Sequence, residues 1–430
     1  MEIKLHRGFG AAGTNINDFF DAVRSMEKVT SLLSVGSNEL ALGTVLNSRN
    51  DARDFCIITP ADVDLITAVG KVYQTISDQE AQDKLVLYYC EPDGRFALRS
   101  LELSTFRNKA GVTDELVGEL RSGSKMLVVI NGRNYIVSEL ALNTMSNRAK
   151  IGGDSLNRPG VGRVVELAKS FHHYNVAKLQ CVVRSVGDVS MLLATHSEQY
   201  EYVPQDILIS LYDQIARDFG ATECLSWHVN HEISGCYIGF PEVRNDFASV
   251  YKLPHTVTPG LYIATSDSGD CSLTVRGVWD INGYRLSGPC VKHKHRGEID
   301  IPAFIEKAKQ EIFPEYAAIP DRLTELLTIE VTEPEAVLKS VFREIGAAKT
   351  TALGKKASEC LFAELLNEFP EGGRYTAYDI AMAIITAPSR CVGAHHTVVA
   401  RMEELAKAAV FANYRRTKKD AGPSPSFILT

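Results

Sequence analysis

The sequence predicts an α+β fold with a mixed α/β N-terminal region, a central domain that contains an antiparallel sheet, and a helical C-terminal region. Three observations predict it. Strand-like and helix-like segments alternate through the first third of the chain. Residues 259–298 show period-two alternation broken by turn signals, which is typical of antiparallel strands with one buried face. After residue 300, amphipathic helical patterns follow one another and are separated by prolines.

The length of the chain indicates more than one domain. Its 430 residues exceed one ordinary core, and 45% hydrophobic with 23% charged residues is the composition of a soluble globular protein. Changes in pattern predict a mixed α/β domain at 1–142, an α+β domain with a basic β segment at 143–300, a helical domain at 301–418 and a flexible tail at 419–430.

Targeting signals and cysteine spacing indicate a cytoplasmic protein without a membrane partner. No apolar run reaches the roughly 18 residues that a membrane-spanning helix needs. The N-terminal sequence MEIKLHRGFG lacks the apolar region of a secretory signal. The nine cysteines are scattered without a CxxC pair, which fits reduced thiols better than a disulfide framework.

The N-terminal segment predicts a short strand at 1–7, a glycine loop, and a helix near Asn17–Leu33. The loop at Gly8–Gly13 matches G-x-G-x-x-G, a pattern that can place a dinucleotide's phosphates at a helix N-terminus. However, the strand is half polar, and no acidic residue lies near position 33 to hold a ribose. We therefore interpret the glycines as a permissive entry to the first helix and expect no cofactor.

Both strands and helices are predicted up to residue 142. Strands are expected at 55–58 and 85–89, and helices at 61–76 and 113–121. The segment 126–139 predicts a hairpin, because Asn131-Gly132 between two β-rich runs is the signature of a type I′ turn.

A polar segment at 143–158 is predicted to be a surface loop or domain boundary. Four cations lie in or just after it: Arg148, Lys150, Arg158 and Arg163. We interpret them as a solvated loop, with phosphate contact as the alternative. Helices near 161–171 and 204–218 and strands near 178–183, 190–194, 223–229 and 235–240 are expected to follow.

Local charge distinguishes the central strands from the rest of the chain. Asn282-Gly283 provides a second turn signal, and residues 276–296 contain five Lys or Arg and one acid. The formal net charge of the whole chain is −7, so this basic stretch contrasts with its surroundings. Such a stripe can make phosphate contacts in an otherwise acidic protein.

The order of these segments resembles a motif of an uncharacterised protein family of phages and plasmids. In that family, a G-L-x-I-x-N-S-E-x-G-x-x-x-L-x-V run precedes an Asn-Gly turn and a basic segment that contains histidine. The matching positions are Gly260–Ile263, Ser266, Gly269, Leu273–Val275 and Asn282-Gly283, while Thr265-Ser266-Asp267 stands in place of Asn-Ser-Glu. The resemblance spans approximately residues 145–390. It implies a role in DNA transactions, because members of the family occur near replication and recombination functions.

The sequence therefore predicts a phage- or plasmid-encoded protein that binds nucleic acid, with single-stranded DNA in replication or recombination as the expected partner. Binding would neutralise phosphates and stack bases without a covalent step. The predicted binding residues are Arg276, Arg285, Lys292, His293, Lys294, His295, Arg296, Arg415, Arg416, Lys418 and Lys419. Tyr237 and Tyr262 are candidates for base stacking.

Two alternatives stay open. The protein could be a structural or interaction module that forms a homo-oligomer, with the acidic helical region of one copy against the basic stretch of another. It could also be a metal-dependent enzyme acting on nucleic acid through Asp267, Asp270, His293 and His295. We favour a protein without catalytic or metal residues, because Cys290-x-x-His293-x-His295 has no second ligand pair nearby in sequence.

Overall fold

The computed structural model describes ten stretches of the chain. They are residues 1–45, 84–93, 96–122, 125–151, 160–268, 272–295, 297–344, 355–370, 372–387 and 405–415. Within them the chain forms an eight-stranded sheet, a six-stranded sheet and a two-stranded ribbon, together with helices. The predicted α+β class is therefore confirmed.

The eight-stranded sheet has the strand order β2-β8-β9-β7-β6-β3-β4-β5. Its strands are β2 (Thr30–Gly36), β3 (Ala41–Val45), β4 (Lys84–Cys90), β5 (Phe96–Glu102), β6 (Met126–Ile130), β7 (Arg133–Val137), β8 (Lys178–Val186) and β9 (Val189–Ser197). All neighbours are antiparallel except β7 and β9, which run parallel. Helices cover both faces, so both faces of these strands carry apolar residues.

Those covering helices come from the segments between the strands. They are α2 (Leu103–Arg107) and α3 (Asp114–Ser122) on one face, and α4 (Glu139–Ala149) and α5 (Gly160–Lys169) on the other. A single π-helical turn, Ser170–Tyr174, ends α5.

The six-stranded sheet is antiparallel throughout, with the order β1-β10-β11-β12-β13-β14. Its strands are β1 (Gly10–Gly13), β10 (Glu223–Asn230), β11 (Ser234–Gly239), β12 (Val257–Thr265), β13 (Leu273–Ile281) and β14 (Tyr284–His293). Alternate residues such as Ile263, Val275 and Trp279 enter one large core. The predicted central antiparallel sheet is present.

Helices from both ends of the chain pack on that core face. The N-terminal member is α1 (Ile16–Val29), followed by α6 (Ile207–Phe219) and α7 (Pro241–Tyr251). The C-terminal members are α8 (Ile301–Ile312), α9 (Ala318–Leu327), α10 (Pro334–Glu344), α11 (Lys355–Asn367), α12 (Ala377–Thr386) and a helix at 405–411, while β15 (Glu330–Val331) and β16 (Tyr375–Thr376) form the ribbon. The predicted C-terminal helices are therefore confirmed where the chain is described, and they share one core with the sheet.

The two Asn-Gly signals form the turns that the sequence predicts. Asn131 and Gly132 have φ of 51° and 77°, and Asn282 and Gly283 have φ of 53° and 91°. Two consecutive residues with positive φ define the type I′ turn, whose twist matches that of the flanking strands. Each turn therefore sets the register of its hairpin.

Several local predictions differ from the structure. Residues 1–7 form no strand, and the glycine motif supplies β1 itself, antiparallel to β10, rather than a loop between a strand and a helix. The helix predicted to reach Leu33 ends at Val29, because residues 30–36 pair with β8. The loop predicted from 143 is helical to 149, since Met145 and Ala149 face the core. The strand at 55–58 and the helix at 61–76 lie outside the described residues.

The sheets and cores divide the chain differently from the predicted domains. Strands β8 and β9 follow residue 142 but complete the eight-stranded sheet, while β1 and α1 precede it and belong with the six-stranded sheet. We call each large sheet with its helices one half of the protein. The chain therefore forms β1 and α1 of the six-stranded half first, then the eight-stranded half, and then the rest of the six-stranded half.

Close strand contact at Gly260 provides a test of this packing. A Cβ at Gly260 would lie 2.1 Å from the backbone carbonyl oxygen of Ile238 on β11. We predict that Gly260→Ala lowers the free energy of unfolding by about 1–3 kcal/mol, measured by urea denaturation. Gly118→Ala is the control, because a Cβ on that α3 glycine meets no atom within 4 Å and alanine favours the helix by up to about 1 kcal/mol. Equal effects of the two substitutions would contradict the packing of β11 on β12.

Candidate functional site

The two halves meet where the chain crosses between them. The first crossing is Thr30, which follows α1 directly and begins β2. The second is the segment 198–206, between β9 and α6. The β10–β11 turn and the end of β12 lie against the same place, so polar residues from both sheets converge there.

A fully buried ion pair is at the centre of this contact. Arg184 of β8 and Asp267, which follows β12, have side-chain exposures of 0% each. The Arg184 Nη2 atom donates to both carboxylate oxygens of Asp267, at 3.0 and 2.7 Å. Burying two charges costs several kcal/mol each unless every donor and acceptor is matched.

The remaining donors of Arg184 are matched. Its Nε donates to Thr30 Oγ1 at 3.1 Å, and its Nη1 donates to Nδ1 and to the carbonyl oxygen of His231, each at 3.0 Å. Gln205 Nε2 donates to Asp267 Oδ2 at 2.8 Å. We call Arg184, Asp267, Gln205 and His231 the junction.

The second crossing segment is held by its own hydrogen bonds. Ser234 Oγ donates to Gln205 Oε1 at 2.6 Å. Glu27 Oε2 accepts from the Gln205 backbone N–H at 2.8 Å and from the Tyr202 hydroxyl at 2.7 Å. Burial raises the pKa of the Glu27 carboxyl. Helix α1 is thereby tied to the segment that leads into α6.

The hydrogen bonds of His231 define its tautomer. A guanidinium only donates, so His231 Nδ1 must be the acceptor and carry no proton. The other ring nitrogen, Nε2, then donates to the Lys4 carbonyl oxygen at 3.0 Å. Burial, together with the charge of Arg184, lowers the pKa of His231 to about 3. The imidazole is therefore neutral, and it couples the N-terminal segment to the junction.

Three aromatic rings are stacked beside the junction. The His196 and Tyr200 centroids are 3.7 Å apart, and those of Tyr200 and His295 are 5.2 Å apart, with nearly parallel planes. The Tyr200 hydroxyl donates to the Asp267 carbonyl oxygen at 3.3 Å, and His196 Nε2 lies 3.2 Å from the same oxygen. Burial, with smaller contributions from the charges of His295 and Arg148, lowers the pKa of His196 to about 4.

A cavity of about 310 Å³ lies between the sheets next to His231. Phe9, Ile136 and Met191 are among its apolar lining residues. Four of its charged lining residues form pairs, since Arg7 contacts Glu139 at 2.7 Å and Lys125 contacts Glu119 at 3.9 Å. These pairs do not point to a charged ligand.

The predicted arginines on the strands lie against neighbouring side chains. Arg276 Nη1 donates to Ser287 Oγ at 3.3 Å. The Arg285 guanidinium lies 3.9 Å from the centroid of the Tyr237 ring and 3.7 Å from Asp280 Oδ2. Tyr237 stacks on Tyr262, which is only 8% exposed. Arg285, Asp280, Tyr237 and Tyr262 thus form one series of contacts, and Arg276 and Ser287 form a separate pair.

The end of β14 combines exposed and buried positions. Lys292 and Lys294 are exposed, and within the described ranges no carboxylate oxygen lies within 4 Å of either. His293 is half-buried with its ring edge-on to Phe304 at 6.3 Å. His295 is 8% exposed in the ring stack. The two lysines, rather than the two histidines, are therefore directed to solvent.

The second predicted basic segment is described only at its start. Arg415 is exposed and its Nη2 lies 3.9 Å from Glu325 Oε1 on α9. The other predicted residues, Arg296, Arg416, Lys418 and Lys419, lie outside the described residues.

Two basic stretches that are distant in sequence each have a residue whose charge acts on His196 of the ring stack. Arg148 ends α4 and acts on His196 by its charge, as does His295, which directly follows Lys294. Lys150 caps the same helix and is exposed, like Arg148. We call Arg148, Lys150, Lys292 and Lys294 the cationic surface.

The positions of the possible metal ligands are clear where the chain is described. Over those residues, no group of three or more His, Cys, Asp or Glu side chains is arranged to hold a metal ion. Asp267 forms the buried ion pair with Arg184, and Asp270 lies outside the described residues.

Comparison with protein-family models, with curated proteins and with solved structures finds no match for this chain. In the part of the chain that the structure covers, no helix combines the length and the apolar character needed to cross a bilayer.

Sequence reasoning missed the junction. Asp267 is considered there as a functional residue only in a possible metal-dependent enzyme, and Arg184 carries no signal because a lone arginine within a strand pattern is ordinary. A charged residue directly after Val182 and Val183, in an apolar strand, is the one signal that could have indicated a buried partner.

Removing the charge of Asp267 tests the junction. Asp267→Asn keeps the shape but leaves Arg184 buried without its counter-ion, so we predict a loss of about 3–5 kcal/mol in the free energy of unfolding. The double variant Arg184→Met/Asp267→Asn should lose less than the sum of the two single variants, as measured by urea denaturation.

The control for this experiment is the half-exposed pair of Arg244 and Glu223, at 2.7 Å. Arg244→Met should cost less than about 1 kcal/mol because solvent screens that pair. A cost of Asp267→Asn as small as that of Arg244→Met would contradict the role of the junction.

The buried histidines predict a pH dependence of stability. His196 and His231 each have an ordinary pKa of 6.5 and a lowered pKa in the folded protein. The unfolded chain therefore binds protons at these two residues first as the pH falls. The contribution of each histidine to stability is therefore full well above pH 6.5 and is lost as the pH falls, with a slope that approaches about 1.4 kcal/mol per pH unit. The loss ends near the folded pKa, about 4 for His196 and about 3 for His231.

His231→Asn isolates one contribution, because the Asn oxygen can replace Nδ1 as the acceptor for Arg184 but does not titrate. Compared with the unmodified protein, the unfolding free energy should fall by about 0.7 kcal/mol less between pH 7 and 6 and by about 1.2 kcal/mol less between pH 6 and 5. His173→Asn, at an exposed histidine, should leave the slope unchanged. An unchanged slope for His231→Asn would contradict a neutral, buried His231.

Proposed function

We propose that this protein binds nucleic acid, with single-stranded DNA as the first candidate, through the cationic surface at the contact between its two sheets. The observation that supports the proposal is that two basic stretches, one in the last turn of α4 and one just after β14, each have a residue whose charge acts on His196 in the ring stack of His196, Tyr200 and His295. The predicted phage or plasmid origin would place this activity in the cytoplasm of a host cell.

The charges of the cationic surface are suited to phosphates. Arg148, Lys150, Lys292 and Lys294 are all exposed. Among the residues with described coordinates, none of the four has a carboxylate oxygen within 4 Å. Cations with no internal counter-ion keep their full attraction for a polyanion, and they release condensed counterions on binding.

The half-buried arginines have a supporting role in this proposal. Arg276 and Arg285 contact Ser287, Tyr237 and Asp280, so these side chains are held in place within the sheet. They add positive potential behind the exposed lysines of β14. Direct contact with the strand is assigned to the exposed cations.

A salt titration tests the proposal. Binding of a fluorescent oligothymidylate should weaken linearly on a log–log plot against salt concentration. For the triple variant Arg148→Ala/Lys292→Ala/Lys294→Ala, the slope should be smaller by about 2, because each phosphate contact on a single strand contributes about 0.7.

The control is Lys307→Ala on α8, where the exposed ammonium already pairs with Glu311 at 3.8 Å. It should leave the affinity and the slope unchanged. Absence of binding at low salt, or equal slopes for the triple variant and the unmodified protein, would contradict the proposal. Light scattering of the free protein in the same buffers measures the self-association that the sequence analysis raised as an alternative.

A further inference from the structure

Two free thiols face each other across neighbouring strands of the six-stranded sheet. The Sγ atoms of Cys224 on β10 and Cys236 on β11 are 3.6 Å apart. A disulfide requires a sulfur–sulfur distance of about 2.0 Å, so the two atoms must approach by about 1.6 Å. The register of the two strands shifts between Cys224 and Ser226, and such a bulge gives local freedom to one strand of a pair.

The two thiols have different surroundings. Cys236 is fully buried in the core, whereas Cys224 is only partly buried. A hydrogen bond from the Cys236 thiol lowers the pKa of Cys224, and the same bond, with burial, raises the pKa of Cys236. Because the thiolate is the nucleophile, Cys224 is the thiol suited to react with a molecule from solvent.

We propose that Cys224 and Cys236 are an oxidisable dithiol that a hydroperoxide converts into a reversible disulfide. In the first step, the Cys224 sulfur attacks one oxygen of hydrogen peroxide and the O–O bond breaks. The products are a sulfenic acid on Cys224 and one molecule of water. In the second step, the Cys236 sulfur attacks the Cys224 sulfur and the S–O bond breaks. The departing hydroxide takes the Cys236 proton and leaves as a second molecule of water.

Other described cysteines lack this arrangement. Burial raises the pKa of Cys90 and of Cys181 to about 12 each. Cys290 is partly buried, and its thiol contacts the Val291 carbonyl oxygen at 4.0 Å. Across the described stretches, Cys224 and Cys236 are the one pair with sulfur atoms within 4 Å. Among the cysteines whose side chains the structure describes, the reaction should therefore favour this pair.

The disulfide would act on the hairpin that carries His231. Strands β10 and β11 are joined by the turn in which Glu232 and Ile233 donate to Asn230 Oδ1, and His231 of the junction lies in this turn. A disulfide at the far end of the hairpin would join Cys224 to Cys236 and close a loop that contains the turn with His231. It should stabilise the hairpin in the folded protein.

Peptide mapping tests the proposal. The folded protein is treated with a small excess of hydrogen peroxide, the remaining thiols are blocked, and the protein is digested with trypsin. Both cysteines lie in the tryptic peptide 218–244. We expect this peptide to lose the mass of two hydrogen atoms, and the free thiols of the denatured chain to fall from nine to seven. Dithiothreitol should restore both values.

Variants assign the two steps. In Cys236→Ala, dimedone should label Cys224, because no thiol is left to resolve the sulfenic acid. In Cys224→Ser, peroxide should change neither the thiol count nor the peptide. Cys290→Ser is the matched control and should lose two thiols as the unmodified protein does. Circular dichroism verifies that each variant is folded.

An unchanged mass of peptide 218–244 after peroxide treatment would overturn the proposal. So would a disulfide that maps to other cysteines. Absence of a dimedone adduct on Cys224 in folded Cys236→Ala would overturn the assignment of Cys224 as the first thiol to react.

Discussion

The structure depends on the burial of Arg184 and Asp267 between two sheets. A charge in a protein interior is tolerated only with a counter-ion and a full set of hydrogen bonds. The partners of Arg184 are Thr30 at the first crossing, His231 in the β10–β11 turn and Asp267 after β12. Each partner comes from a different part of the chain. One arrangement of the two halves satisfies all of these groups at once, so the junction specifies how the halves are assembled.

The cationic surface is a consequence of that arrangement. Arg148 belongs to the eight-stranded half, and Lys292 and Lys294 belong to the six-stranded half. Tyr200 stacks with His196 and with His295, and its hydroxyl donates a hydrogen bond to the carbonyl oxygen of Asp267. The proposed binding of nucleic acid therefore draws on residues of both halves.

Local signals predicted the elements whose structure is determined locally. The Asn-Gly turns need positive φ at two residues, and Asn and Gly adopt it at low cost, so both hairpins could be predicted. The C-terminal helices carry apolar stripes between prolines, so a run of helices after residue 300 could be predicted.

Pairing between segments that are distant in the sequence determines the elements and exposures that could not be predicted. The end of α1 at Val29 depends on pairing of β2 with β8, whose residues lie more than a hundred positions later. Nothing near Thr30 in sequence indicates that partner. The basic stretch at 276–296 was recognised by its composition, but which side chains face solvent depends on the sheet. Burial of His295 and exposure of Lys294 follow from the ring stack and could not be predicted from alternation alone.

Native-state hydrogen exchange of the intact protein in increasing urea tests most directly whether the junction joins the two halves. The slowest amides of β8 and β9 and those of β11 and β12 should reach the same opening free energy and merge into one unfolding transition. Two separate transitions, with one sheet opening while the other stays protected, would contradict this role of the junction.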